Sequence, residues 1–98
     1  MLKKSYSKTG GSCRVTFELP RDVDAGTVSL CGEFNEWEPS AHPMKPRKQG
    51  GFSTRISLRS GRIYRFRYLL DGGRWENDWA ADGYVPNSFG TEDSLLKL

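Results

Sequence analysis

The sequence predicts an all-β fold, a sandwich of about seven short strands, on three observations. Short runs of β-branched and aromatic residues alternate with polar ones at period two. Turn signals recur about every eight to twelve residues, and 11 Gly and 5 Pro supply them. No window sustains apolar residues at i, i+3, i+4 and i+7, so no long helix is expected. The 98 residues make one domain. A chain of this size buries roughly two-thirds of its unfolded surface, enough for one core without staples.

Met1 to Ser12 is polar and closes on Gly10-Gly11, so residues 1–12 are expected as a loosely held, flexible arm. The folded domain is then residues 13–98. Cys13 to Leu19 alternates cleanly and forms the first strand, with Cys13, Val15, Phe17 and Leu19 turned inward. Pro20 to Gly26 is a turn, because proline cannot donate to a central ladder. Thr27 to Gly32 is the second strand and runs into Glu33-Phe34-Asn35-Glu36-Trp37. Glu38 to Gly51 holds three prolines and two glycines and reads as a loop, with a short strand at Met44-Lys45. Lys45, Arg47 and Lys48 there serve solubility. Phe52 to Leu58 is a strand with Phe52, Thr54, Ile56 and Leu58 on one side.

Ile63 to Leu70 is the central strand, with Tyr64, Phe66, Tyr68 and Leu70 facing a core and Ile63, Arg65, Arg67 and Leu69 facing out. Asp71-Gly72-Gly73 supplies the positive φ angles of a tight hairpin, and Trp75 opens the return strand. Glu76 to Gly90 is expected as one long aromatic-containing loop, a feature often functional in so small a domain. Trp79 and Tyr84 within it are expected to plug an end of the sandwich. Asp93 to Leu98 closes the fold. Aligned sheets would bury Phe17, Leu30, Ile56, Phe66, Tyr68 and Leu70, with Phe34 beside them.

The formal net charge of +3 comes from scattered basic residues, which as a rule form a solvated face and not a nucleic-acid track. Met-Leu-Lys-Lys carries no apolar h-region and no stretch approaches a membrane span, so the expected compartment is cytoplasmic. Cys13 and Cys31 have opposite parity relative to their inward-facing neighbours and are expected as free thiols, consistent with a reducing compartment. His42 is the sole histidine, and no Cys stands at ligand spacing, so no metal site is expected. No Gly-x-Ser-x-Gly elbow is present. Asp71, Glu76, Asp78, Asp82, Glu92 and Asp93 cluster late, and glycoside hydrolysis uses a carboxylate pair. They fall, however, at turns and strand ends, where Asp is common for local reasons. Asp71-Gly72-Gly73 is a hairpin turn and not a phosphate cradle. No cofactor and no catalytic residues are implied, and the balance points to a binder.

The outer face of the central strand holds Arg65 and Arg67, with Trp75 just past its end: an indole and a guanidinium on a rigid sheet. Three stretches extend this surface: Gly32-Glu33-Phe34-Asn35-Glu36-Trp37, Tyr68-Leu69-Leu70-Asp71-Gly72-Gly73-Arg74-Trp75, and Asn87-Ser88-Phe89-Gly90-Thr91-Glu92-Asp93-Ser94. Together, in this order, they resemble the family-48 carbohydrate-binding modules. That family includes N-terminal domains of isoamylases and glycogen branching enzymes, and the glycogen-binding domain of the AMP-activated protein kinase β subunit. The resemblance runs from about Cys13 to Leu98.

The resemblance implies an immunoglobulin-like, early-set β-sandwich of about seven to eight strands. It implies non-catalytic binding of glycogen or related α-1,4-glucan through two tryptophan platforms, Trp37 and Trp75. Arg67 falls where kinase-type members have lysine, Phe89 at an apolar loop position, and Thr91 on the family's threonine. Asp93 replaces an asparagine that hydrogen-bonds sugar hydroxyls, and a carboxylate accepts but cannot donate. The implied partners are an α-glucan polysaccharide (glycogen, starch or a maltooligosaccharide) and a glycogen-metabolising enzyme, with neither nucleic acid nor membrane. Family members often sit beside an α-amylase-type barrel, so an accessory domain of such a glycoside hydrolase is one alternative; a barrel itself needs about 250 residues. The Met1 start favours a free-standing module. A scaffold domain that has lost sugar affinity is the other alternative. Nucleic-acid binding through Arg65, Arg67 and Arg74 would show steep salt dependence.

Overall fold

Period-two alternation becomes strand wherever the sequence carries it. The computed structural model describes residues Met1–Leu98. Its strands are β1 (Leu2–Tyr6), β2 (Ser12–Leu19), β3 (Val28–Gly32), β4 (Lys45–Pro46), β5 (Phe52–Arg59), β6 (Ile63–Leu70), β7 (Arg74–Glu76), β8 (Gly83–Pro86) and β9 (Glu92–Lys97). A single 3-10 turn, Glu33–Asn35, follows β3. One sheet has the order β1-β2-β5-β4 and the other β3-β6-β9-β8, with β7 paired to the end of β6. All pairings are antiparallel, and the two sheets make an immunoglobulin-like β-sandwich. No helix is long and apolar enough to cross a membrane.

The inward parity holds along β2, where Cys13, Val15, Phe17 and Leu19 are all buried. In β6, Phe66, Tyr68 and Leu70 face the same core. Phe66 packs edge-on against Phe17 at 5.2 Å between centroids and against Tyr68 at 5.7 Å. Each such aromatic pair adds about 0.5–1.5 kcal/mol beyond its buried area. Phe34 leans on Phe17 at 5.9 Å and packs beside the core, as expected. Ile56 is only half-buried. Cys13 and Cys31 are free and buried.

Three expectations change. Leu2–Tyr6, expected within a loose arm, pairs in register with Tyr6 opposite Cys13 and Leu2 opposite Phe17. This edge strand is largely exposed, so it needs no apolar alternation and shows none. The long loop after Trp75 contains β8, which completes the second sheet beyond β9. Trp79 does not plug the sandwich, being 64% exposed. The plug is Asp78, fully buried: it accepts the Tyr68 hydroxyl at 2.6 Å, and its amide donates to Ser94 Oγ at 2.9 Å. Tyr84 is partly exposed and sends its hydroxyl to the Asp78 carbonyl.

Burial, then the Asp78 charge, holds the Tyr68 hydroxyl well above its ordinary range. A raised folded value means that this contribution is complete below the unfolded tyrosine value of about 10 and is lost as pH climbs above it. Tyr68→Phe should cost about 1–3 kcal/mol at neutral pH by stripping a donor from buried Asp78. Above pH ~10, the gap between wild type and variant should narrow, as thermal melts across pH would show.

Candidate functional site

The outer face of β6 is the floor of the site, and its neighbours set what stands on it. Register places Cys31 of β3 opposite Arg67, and Trp75 of β7 opposite Leu69. Along the same edge as β7, Phe66 pairs with Ser94, which brings the preceding residue of β9, Asp93, to the Arg67 end of the sheet. Cys31 is buried on this outer face, and burial, then Glu38, pushes its thiol up. It is therefore no nucleophile at neutral pH.

Trp75 is aimed by its hairpin. Asp71 and Gly72 both adopt left-handed backbone, with φ of 52° and 71°, as a tight hairpin requires. Asp71 Oδ1 accepts the Gly26 amide at 2.8 Å and the Thr27 amide at 3.0 Å, which ties the turn to the chain entering β3. The Thr27 amide, then that of Gly26, holds the Asp71 carboxyl below its usual range. Beyond the turn, the Arg67 guanidinium lies 5.7 Å from the centre of the Trp75 ring, a cation–π contact.

Trp37 is aimed from the far side of β3. Asn35 Oδ1 accepts the Gly32 amide at 3.0 Å, and its Nδ2 donates to the Leu30 carbonyl at 2.9 Å and lies 2.9 Å from His42 Nδ1. Glu36 and Trp37 then both turn left-handed, with φ of 56° and 59°. The Trp37 amide donates back to the Gly32 carbonyl at 2.9 Å. Left-handed backbone in so bulky a residue is unusual and is held by its surroundings. Gly32 is needed for proximity: a Cβ there would stand 2.6 Å from the Arg65 carbonyl oxygen and 2.8 Å from the Phe34 ring.

The loop between β8 and β9 forms the last wall, with the Phe89 ring 87% exposed at its tip. Trp37, Arg67, Trp75, Phe89, Thr91 and Asp93 all line one open cleft of about 1060 Å³. The sequence reading did not select Glu33, Arg65 and Asn87, which join them. Glu33 Oε1 accepts the Arg65 amide at 2.7 Å, and Arg65 Nη1 stands 3.7 Å from Asp93 Oδ2. Only the Asx propensity of Asn87 and the parity of Arg65 with Arg67 could have signalled those two residues. Arg67 Nη1 comes to 3.5 Å from Thr91 Oγ1.

Three of the six late carboxylates serve structure. Asp71 ties the hairpin, Asp78 is buried under Tyr68, and Asp82 accepts Lys4 Nζ at 2.7 Å and the Lys97 amide at 2.8 Å. Of that cluster only Asp93 reaches the cleft. Arg65 and Arg67 face Glu33 and Asp93 there, two formal positive charges against two negative. The arrangement offers flat apolar faces and hydrogen-bonding groups around a neutral lining.

Residues 13–91 match the family model described as the glycogen recognition site of AMP-activated protein kinase. The matched span contains every candidate except Asp93. A search of curated proteins finds no match.

Gly32→Ala should destabilise the fold by about 1–3 kcal/mol through overpacking. Gly11→Ala, whose Cβ would meet nothing closer than 3.7 Å, should stay within about 0.5 kcal/mol of wild type. Denaturant melts of both variants check the contrast.

Proposed function

The chain belongs to the family of glycogen-recognition modules of AMP-activated protein kinase, and from that premise we propose that it binds glycogen-type α-glucan without catalysing its cleavage. The observation that carries the reading is the convergence of two indoles, an exposed phenyl ring and a stacked guanidinium on one neutral cleft. A glucose ring presents a face of C–H groups, and an indole presents a flat, polarisable face that suits it. Trp37 and Trp75, borne by different elements, would stack successive parts of a curved α-1,4 chain. Arg67 and Thr91 between them supply polar groups that set register. Phe89 closes over the far end, and Asp93 lies behind the polar wall, largely covered.

The neutral lining favours an uncharged polyhydroxyl ligand over a nucleic acid, whose phosphates would ask for unopposed basic groups. The two free buried thiols suit a reducing compartment, and we place the module in the cytoplasm. Trp79 stands exposed outside the cleft, which leaves a surface for a glycogen-metabolising enzyme as partner.

Maltoheptaose or β-cyclodextrin should quench tryptophan fluorescence saturably. Trp37→Ala and Trp75→Ala should each lose about 1–3 kcal/mol of binding, with the fold intact. The affinity should change little between low and physiological salt. No response from folded wild type at millimolar sugar would sink the proposal.

A further inference from the structure

The loop that carries Phe89 and Thr91 closes on Asn87. The Asn87 amide nitrogen of the backbone donates to the Thr91 carbonyl at 2.9 Å. Its side-chain Oδ1 accepts the amides of Phe89 at 3.0 Å and Thr91 at 3.2 Å. Its Nδ2 donates to Thr91 Oγ1 at 2.9 Å and to Asp93 Oδ1 at 3.0 Å. Two backbone donors on one side and a carboxylate on the other leave the amide one sensible orientation, because a carboxylate can only accept.

Asp93 is poorly placed to serve a ligand itself. Its side chain is 9% exposed, and its second oxygen faces Arg65. Thr91 is in the opposite situation. Nδ2 of Asn87 supplies a proton to its oxygen. The Thr91 hydroxyl itself donates to Oδ1 at 3.1 Å, the third donor on an oxygen that already takes two amides, and its proton is the one of this network that a ligand oxygen can draw away.

We propose that Asn87 is a positioning residue of the site: anchored by Asp93, it holds Phe89 in the open and turns Thr91 into a hydrogen-bond donor toward a sugar oxygen. Asp93 thus acts through Asn87 and not by touching the glucan. The inference rests on the glucan reading and deepens it. The carboxylate at 93 sets the polarity of the chain of hydrogen bonds, and the ordering of Phe89 and Thr91 is met before the ligand arrives.

The test is maltoheptaose titration of wild type, Asn87→Ala, Asn87→Asp, Asp93→Asn and Asp93→Ala, each checked by thermal melting. Freeing two side chains to be reordered on binding should lower the affinity of Asn87→Ala and Asp93→Ala about threefold to tenfold. Asp93→Asn keeps an acceptor toward Nδ2 and should stay within about twofold of wild type. Asn87→Asp sets two carboxylates side by side, and these cannot both stay ionised at hydrogen-bond distance. Its affinity should be low at neutral pH and recover toward pH ~5, when one proton is shared. Wild type should show no such recovery. This profile separates positioning from a merely structural role, and it remains readable if Asn87→Ala folds poorly. Equal affinity of wild type and Asn87→Ala, a flat Asn87→Asp profile, or a large gain in Asp93→Asn would overturn the inference and leave the glucan reading standing. Absence of any wild-type binding would take down both.

Discussion

Strand β6 must satisfy two demands at once, and the rest of the molecule is built around that constraint. One parity, Phe66, Tyr68 and Leu70, is wholly committed to the core. The other, Arg65 and Arg67, floors the cleft. Because side chains alternate strictly across a strand, a slip of one residue would send guanidinium groups into the core and aromatics into solvent. The register with β3 along one edge, and with β9 and β7 along the other, excludes that slip. The core and the floor of the cleft are thus specified by the same hydrogen-bond ladders. Asp78 adds a pin at this point, since its bond to the Tyr68 hydroxyl and its link to Ser94 fasten the loop after β7 to both β6 and β9.

The side chains that rise from this floor come from three turns, and each turn holds an uncommon backbone in place by side-chain hydrogen bonds. Glu36 and Trp37 are left-handed behind the Asn35 side chain, Asp71 and Gly72 behind the Asp71 carboxylate, and Gly90 behind Asn87. A non-glycine residue in such a conformation costs on the order of 1–3 kcal/mol. That cost is tolerable only where the neighbours over-determine the geometry. The same amide and carboxylate contacts that offset the strain also fix where Trp37, Trp75 and Phe89 point. The directions of these three rings are therefore set by the fold itself.

Alternation made the core legible: the parity of Cys13 to Leu19 and of Ile63 to Leu70 needed nothing but the pleat. It could not reveal β1, which is exposed along nearly all its length, or β8, whose four residues, bounded by Gly83 and Pro86, are too few to show a period. Trp79 was misplaced for a related reason, since an aromatic in a loop says nothing of direction. Asp78, one residue earlier, fills the interior position through hydrogen bonds that no pattern of hydrophobicity records. In the cleft, the residues carried by the family resemblance line one wall or another, while the partners of Arg65 and Asn87 emerge only from tertiary contacts. Arg65 looks like any solvated strand residue until Glu33 accepts its amide and Asp93 approaches its guanidinium. Asn87 looks like a turn former until Asp93, six residues on, receives its side chain.

Under the proposed function, the charges of the cleft would narrow its ligand further than its shape does. Two guanidinium groups on a strand face would ordinarily invite phosphate, since a planar fork matches an anion well. Here each already has a neighbour on one side. Arg65 has Asp93 close by, and Arg67 lies against the Trp75 ring with its Nε enclosed and without a partner. An anion entering the cleft would have to compete with Asp93 for Arg65 and would meet Glu33 at the rim. A neutral sugar meets no such opposition, because hydroxyls can both donate and accept, and its C–H faces need only the aromatic planes. On the proposed glucan reading, the two carboxylates would contribute to selectivity as the tryptophans do, by leaving a competing anion an unpaired charge.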